Sequence, residues 1–215
     1  LLFKSLGCPV GDKTSSDYSI PGWLLQSKSK AIKREFLAAF MGGDGPKIAI
    51  RLSKRQNKKS YNTININDIE FHKNPEVEES GLNLADQLSK LFKEFNIEIT
   101  KIFVENDNYI KKDGKKSKII HIDIKNNFEN AFELYKNVGY RYAHTKNIES
   151  MRASEFIRRI LVKRKDWLNK YEQAIKIYKS HGYEARKISK ILSLEEVTVW
   201  NWIKKGVKPT IKKHY

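Results

Sequence analysis

The stretch Leu37-Ala38-Ala39-Phe40-Met41-Gly42-Gly43-Asp44-Gly45 decides the fold of this chain. Apolar residues recur at helical spacing over 31–41, and the glycines then end the pattern abruptly. Glycine inside a helix costs about 1 kcal/mol relative to alanine, so two adjacent glycines indicate that a small surface is needed there. The alanines and glycines lie four residues apart in two pairs, and each pair makes a flat stripe that a second helix can approach closely.

Asp44 follows the two glycines at the predicted end of this helix. A second helix packed on the stripe would bring another carboxylate close to Asp44. Two carboxylates that meet over a negatively charged ligand are compatible mainly when divalent cations lie between them. The alternative is an ordinary helix C-terminus in which Gly45 takes the left-handed cap position.

The charge of the chain points to a polyanionic partner. Its 215 residues include 42 lysines and arginines against 25 aspartates and glutamates, a formal net charge of +17. Residues 151–215 hold 17 of the basic and 6 of the acidic residues, so positive charge is denser in the C-terminal part. No apolar run approaches the roughly 18 residues of a membrane span, and we expect a soluble, intracellular protein that is not secreted.

Cysteine and histidine usage limits the disulfides and metal sites that the chain can form. The single cysteine, Cys8, cannot form an internal disulfide or a four-thiolate zinc site, and it favours a reducing compartment. The five histidines have no ligand-like spacing. The sequence begins Leu-Leu-Phe-Lys without an initiator methionine, which is typical of a fragment or a processed product.

Residue periodicity predicts an α+β domain followed by a helical one. The predicted elements of the first are helices at 31–41, 82–95 and 128–138 and strands at 47–55, 61–71, 97–105 and 118–125. This α-β-β-α-β-β-α order predicts four antiparallel strands that carry helices on one face and leave the other face free.

Beyond Ser150 the pattern is wholly helical. One long helix or two abutting helices are predicted over 151–180, followed by two short helices, 184–192 and 195–205, joined by a tight turn as in a helix-turn-helix. We therefore expect a linker or the tail of a preceding half at 1–24, the α+β domain at 25–165 and the helix-turn-helix domain at 166–215.

The stretch 37–45, LAAFMGGDG, resembles the nonapeptide that names the LAGLIDADG homing endonucleases. It keeps the first leucine, the small residues and the terminal Asp-Gly. The segment 6–23 is similar to the linker that precedes the second motif in intein-type members, and 138–142 with Lys146 is similar to the family's segment ending in an active-site lysine. The resemblance covers about residues 5–160. It implies the homing endonuclease fold and metal-dependent hydrolysis of phosphodiester bonds in double-stranded DNA, with magnesium as cofactor.

The resemblance also implies roles for particular residues. Asp44 would hold the metal, with Gly43 beside it, and Lys146 would lie near the scissile phosphate. Lys125, at the end of the fourth strand, is the alternate for that lysine, and either one is otherwise a solvated surface charge. Family members carry two motifs, either in one chain or in a homodimer, so the single motif here implies a second half, which is another copy of the chain or a half that precedes it.

Alternation along the strands places polar side chains opposite the apolar ones. Arginine pairs with guanine and asparagine with adenine in a major groove that admits a two-stranded ribbon. The predicted DNA-reading residues of the strands are Lys47, Arg51, Ser53, Arg55, Thr63, Asn65, Asn67, His121 and Asp123. The alternative is a polar sheet face that contacts only solvent.

Residues 174–203 resemble the helix-turn-helix of many regulators and transposition proteins, which implies that the second helix enters the major groove. The predicted DNA contacts of this domain are Arg186, Thr198, Asn201, Lys204 and Lys205, while Trp202 is assigned to its core. The alternative is a helical hairpin that only caps the protein.

The sequence as a whole predicts a site-specific, metal-dependent DNA endonuclease. Two alternatives stay open: a catalytically inactive DNA-binding transcriptional regulator that joins a LAGLIDADG-like domain to a helix-turn-helix, and an intron maturase that binds structured RNA.

Overall fold

A computed structural model describes residues 2–7, 11–54, 60–66, 68–105, 109–110, 114 and 116–209. The chain divides into two units, Leu1–Glu155 and Phe156–Tyr215. Our predicted domain boundary follows residue 165, ten positions further along the same helix.

The first unit has the α+β architecture expected from the periodicity. Its helices are α1 (Leu2–Ser5), α2 (Gly22–Leu25), α3 (Lys30–Gly43), α4 (Glu78–Lys93) and α5 (Phe128–Glu133). Its strands are β1 (Ala49–Lys54), β2 (Ser60–Asn65), β3 (Ile69–Lys73), β4 (Ile99–Val104), β5 (Tyr109–Ile110) and β6 (Lys116–Ile124). A 3₁₀ turn (Pro75–Val77) precedes α4, and a π-helical turn (Leu134–Val138) continues α5.

The strands form two antiparallel sheets among the described residues. One pairs β1 with β2, and the other has the order β3-β6-β4 with β5 added to β6. The single strand predicted over 61–71 is therefore wrong, because β2 and β3 belong to different sheets. Ile64, Ile66 and Ile69 are all buried, and an unbroken strand would turn Ile69 to the opposite face from the other two. The break between β2 and β3 lets all three enter the core.

The core of the first unit lies between α4 and the β3-β6-β4 sheet. Ile120, Ile122 and Ile124 alternate along β6 and are buried, as the sequence predicts. At Gly81 of α4 a Cβ atom would collide with the side chain of Ile120. The helix packs so closely on the sheet here that a side chain at position 81 would force Ile120 and Lys73 to move.

The segment 11–20, which we expected to be loop, is held against the rest of the first unit by several hydrogen bonds. The Asn74 amide donates to the Thr14 carbonyl at 2.8 Å, and the Ile20 amide donates to Gln87 Oε1 at 2.7 Å. The fully buried Lys73 donates from Nζ to the Ser16 carbonyl at 2.6 Å.

One long helix, α6 (His144–His181), covers the stretch for which one or two helices were predicted, and it starts seven residues earlier than expected. It is followed by α7 (Ala185–Leu192) and α8 (Glu196–Lys205), within one residue of the predicted helix-turn-helix elements. Ser193 makes the turn between α7 and α8 with a left-handed φ of 51°.

The second unit has its own small core. Ala174, Ala185, Ile188, Val199 and Trp202 are its buried members. Trp167 and Tyr171 meet Trp202 edge-on, with ring centroids 5.6 and 5.7 Å away. Trp202 is thus a core residue, as predicted. No helix within the described ranges is long and apolar enough to cross a membrane.

Candidate functional site

Asp44 lies immediately after α3, where its backbone N–H bonds the Phe40 carbonyl at 2.8 Å and its side chain is exposed. The alternative in which Gly45 takes a left-handed cap conformation is wrong, because Gly45 is not among the glycines with positive φ. Gly45 is needed for a different reason: a Cβ there would lie 2.5 Å from the Met41 carbonyl oxygen. The Gly45 amide continues the helical bonding pattern by donating to the Met41 carbonyl at 3.1 Å, and Asp44 stays exposed.

The two stripes of small residues on α3 have different surroundings. Ala38 is buried, and a Cβ at Gly42 would lie 3.5 Å from Ala143, so this pair packs within the first unit. Ala39 and Gly43 are exposed, and a Cβ built at Gly43 would meet no described atom within 4 Å apart from its chain neighbours and the adjacent backbone of α3. The second stripe is therefore uncovered, beside Asp44.

Lys146, about a hundred residues further along the chain, contacts the same end of α3. Its Nζ donates to the backbone oxygens of Gly45 at 2.7 Å, Gly42 at 3.1 Å and Gly43 at 3.4 Å. The last carbonyl groups of a helix have no partner within it, and a cation there also opposes the partial negative charge of the helix end. Lys146 thus contacts the segment 37–45 that carries Asp44, and it supplies hydrogen-bond donors to the backbone carbonyl groups of that segment.

The turn 140–142, which precedes Lys146 in the chain, is held against α3 by hydrogen bonds to Glu35. The carboxylate of Glu35 accepts from Arg141 Nη1 at 2.9 Å and from the Tyr142 hydroxyl at 3.1 Å. The hydrogen bond from Arg34 is the largest cause of the lowered pKa of Glu35, and Tyr142 and Arg141 act in the same direction. These bonds hold the turn, and with it the start of α6, against the helix that carries Asp44.

A cavity of about 640 Å³ opens next to Asp44. Its walls are apolar side chains of α3, α4 and the N-terminal segment, including Phe36, Phe40 and Leu84. Tyr18 also lines it, and the pKa of this phenol is raised, first by burial and then by the negative charge of Asp44. Sequence reasoning missed Tyr18, because the segment that carries it shows no hydrophobic periodicity.

Lys125, the alternate to Lys146, lies at the end of β6 in an ion pair with Glu98. Both side chains are about half exposed or more, and the Lys125 amide also bonds the Glu98 carbonyl at 3.0 Å. Its ammonium is therefore engaged with a carboxylate, whereas that of Lys146 lies on the glycines around Asp44.

The predicted DNA-reading residues on the first ribbon are only partly described. Lys47 is exposed just before β1, and the register pairs Arg51 with Thr63, Ser53 with Tyr61 and Ala49 with Asn65. Arg55 and Asn67 lie outside the described residues.

His121 and Asp123 lie on the helix-free face of the second sheet, as their alternation predicts, but their surroundings differ from the expectation. His121 is only 7% exposed and stacks on Phe103, with ring centroids 4.6 Å apart. Its Nε2 lies 3.2 Å from a Glu105 oxygen, and its Nδ1 lies 3.8 Å from oxygens of Asp68 and Glu70. The prediction of His121 as a surface residue of the reading face is wrong, because Phe103 and the surrounding side chains bury it.

Carboxylates are concentrated around His121. Burial raises the pKa of Asp68, and the neighbouring charge of Asp123 is the next cause. Even so, no group of three or more His, Cys, Asp or Glu side chains in the described part of the chain is arranged to hold a metal ion.

The predicted contacts of the second unit lie on α7 and α8. Arg186, Lys204 and Lys205 are exposed, and Thr198 and Asn201 are half-buried. The Nζ of Lys204 donates to the Tyr178 hydroxyl at 3.1 Å. Sequence reasoning missed the two most exposed apolar residues of α8, Val197 and Trp200.

Three curated proteins illustrate what the chain is similar to. It is 33% identical over 159 residues to the DNA-directed RNA polymerase subunit Rpo1N of Methanocaldococcus jannaschii, a match that covers 73% of this chain and 11% of that protein. It is 28% identical over 158 residues to the tRNA-splicing ligase RtcB of Methanopyrus kandleri, covering 74% of the chain and 14% of the ligase. It is 29% identical over 145 residues to the replication factor C small subunit of M. jannaschii, covering 66% of the chain and 7% of that subunit.

The chain thus spans between 7% and 14% of the length of these three relatives. No family model and no solved structure matches it.

Proposed function

We propose that this chain is a DNA-cleaving module of the LAGLIDADG homing endonuclease type, with the homing endonuclease fold in the first unit and a DNA-binding helix-turn-helix in the second. The observation that carries the proposal is the meeting of Lys146 with the glycines around Asp44. The resemblance pairs a terminal motif aspartate with a downstream lysine, and these two residues of the chain reach the same helix end.

The relatives support a module that is independent of its surroundings. Similar segments of about 150 residues occur in proteins named as a polymerase subunit, an RNA ligase and a replication factor, and occupy a small part of each. One segment cannot account for three different activities, since function resides in particular sites rather than in a shared fold. We infer that the segment is an insertion with an activity of its own, as in intein-type homing endonucleases.

The uncovered side of α3 supports a second half. Asp44, Ala39 and Gly43 are exposed together at the end of the helix, beside the apolar cavity. Small residues let a second helix approach closely and bring its own carboxylate to Asp44. That helix belongs to another copy of this chain or to a half that precedes it in a longer protein.

The residues present fit magnesium in their donor chemistry. Asp44 offers a carboxylate, the oxygen ligand that Mg²⁺ prefers, and the missing acidic ligand is the one a second half would supply. A bound divalent ion would supply Lewis acidity for phosphodiester hydrolysis. Gly43, the other residue predicted at the metal site, has its carbonyl oxygen 3.4 Å from the Lys146 Nζ. We therefore assign the metal to Asp44 and give Gly43 a part in shaping the backbone.

Lys146 is a positioning residue in this proposal. Its ammonium holds the carbonyls of Gly42 and Gly45 on either side of Asp44 in the sequence. Its positive charge would also offset the negative charge of phosphates close to the helix end. The hydrogen bonds that Glu35 accepts from Arg141 and Tyr142 hold the turn that precedes Lys146.

Replacing Asp44 tests the proposal directly. Asp44→Asn keeps the size of the side chain and removes its charge, so it should abolish magnesium-dependent cleavage and leave DNA binding equal or stronger, because a carboxylate near phosphates opposes binding. The protein is tested as a homodimer or joined to the half that precedes it, so that the active site is complete. The substrate is a plasmid library with randomised inserts, and sequencing of the linearised molecules reports the sites that are cut. Asp86→Asn, at a second exposed aspartate, is the matched control.

A transcriptional regulator is the second candidate, because the Lys146 ammonium is already engaged with three carbonyl oxygens. If both halves are present, and wild type and Asp44→Asn both bind one sequence tightly but neither cuts any insert, the regulator replaces the nuclease. If both cut equally well, Asp44 only ends the helix and the catalytic assignment fails. A preference for structured RNA over the same DNA sequence would instead favour the maturase.

A further inference from the structure

The outward side of α8 carries two exposed apolar residues. Val199 and Trp202 of this helix are buried in the core of the second unit. On the opposite side of the helix, one turn apart, Val197 is 69% exposed and Trp200 is 44% exposed. Exposed apolar side chains are common singly, but two on the same helix face present a small apolar surface.

Exposed basic residues lie on α7 and α8, and one of them contacts this apolar surface. Lys204 and Lys205 follow on α8, and the Nζ of Lys205 lies 5.0 Å from the centre of the Trp200 ring. Arg186 and Lys190 are exposed on α7, which packs against α8. Glu195 and Glu196, at the start of α8, are exposed beside Val197, but the four basic residues outnumber them. The net positive charge fits a polyanion rather than a neutral or basic protein surface.

We propose that Val197, supported by Trp200, contacts the 5-methyl groups of thymines in the major groove of duplex DNA. The 5-methyl group of thymine is the apolar group in the donor and acceptor pattern that base pairs present there, and aliphatic side chains contact it. Val197 is the second residue of α8. In a helix-turn-helix, the N-terminal residues of the recognition helix are the ones that contact base edges. The neighbouring lysines then contact phosphates. This inference rests on the proposal that the chain binds DNA.

We expect a modest preference for thymine over uracil, which adds up over the thymines that are contacted. Burying one methyl group contributes roughly the transfer free energy of a CH₂ group, which corresponds to about a fourfold change in affinity per thymine contacted. Uracil differs from thymine only in lacking that methyl group, so it removes the contact and leaves base pairing and charge unchanged.

The test measures binding of the full chain to matched thymine and uracil duplexes. Duplexes are first selected from a random-sequence pool with the wild-type protein in the presence of a chelator, and the best one is then synthesised with thymine or with uracil. Fluorescence anisotropy gives the dissociation constants for wild type, Val197→Ala and Val162→Ala. Val162 is the matched control, because it is a valine of α6 in the same unit and is 55% exposed.

We expect uracil to weaken binding of wild type and Val162→Ala about fourfold per contacted thymine, while Val197→Ala binds both duplexes equally, with the affinity that wild type has for uracil. The inference is overturned if uracil has no effect on wild type, or if Val197→Ala shows the same loss as wild type. The thymine duplex alone reports on the underlying proposal: if no duplex is selected above the random pool, the DNA-binding function fails as well.

Discussion

At the level of single residues, Lys73 shows how a buried charge anchors a segment that has no regular structure. Its ammonium is fully buried, donates to the Ser16 carbonyl and lies 4.0 Å from the centre of the Tyr18 ring. Burial lowers the pKa of Lys73 below its ordinary value of 10.5, although the carboxylates of Asp17 and Asp12 act in the opposite direction. The unfolded chain therefore binds this proton more tightly than the folded protein does.

This difference predicts a pH dependence of stability. Since the unfolded state holds more protons on Lys73 as the pH rises toward 10.5, the free energy of unfolding of wild type should rise relative to that of Lys73→Met over the same range. Urea unfolding of both proteins at a series of pH values measures it, with Lys90→Met, at an exposed lysine, as the control for losing one positive charge. Parallel curves for wild type and Lys73→Met would contradict the prediction.

At the level of elements, α3 depends on a distant part of the chain for its C-terminus. A helix of 14 residues leaves its last carbonyl groups without partners inside the helix, and here Lys146 satisfies three backbone oxygens in and just after the last turn. The N-terminus is satisfied locally, because the Ser29 side chain accepts from the Ile32 amide. The two ends of α3 are thus stabilised in different ways.

Lys146→Met should separate a structural from a chemical role. Methionine keeps the apolar stem and loses the charge and the donors, so we expect a loss of about 1–2 kcal/mol in the free energy of unfolding together with slower cleavage. Lys125→Met, at an exposed ion pair, should cost less than about 0.5 kcal/mol and leave cleavage unchanged. If Lys146→Met kept full stability and lost only cleavage, Lys146 would act on the phosphate rather than on the helix end.

At the level of the whole molecule, the net charge of +17 determines how binding responds to salt. A protein that displaces many condensed counterions loses affinity steeply, by a factor of about 10³ or more between 50 and 200 mM salt for six to ten phosphate contacts. We expect this behaviour for duplex DNA. The double substitution Lys204→Gln with Lys205→Gln should make the log–log slope shallower by about 1–2, and a nearly flat plot for wild type would contradict any nucleic-acid function.

The sequence by itself determined the elements whose signals are local. The helix over 31–41, the alternation of Ile120, Ile122 and Ile124 and the paired short helices near the C-terminus all follow from periods of two or about four residues, and each is present. Such patterns are readable because neighbours along the chain share one face of one element.

Only the tertiary structure decided which distant residues meet. The break between β2 and β3, the burial of His121 and the attachment of segment 11–20 through Lys73 all depend on partners far away in sequence. The resemblance named Asp44 and Lys146 as one site, but the hydrogen bonds from Lys146 to the glycines appear only in the folded chain. No period in the sequence encodes such contacts, because they arise when packing brings separate elements together.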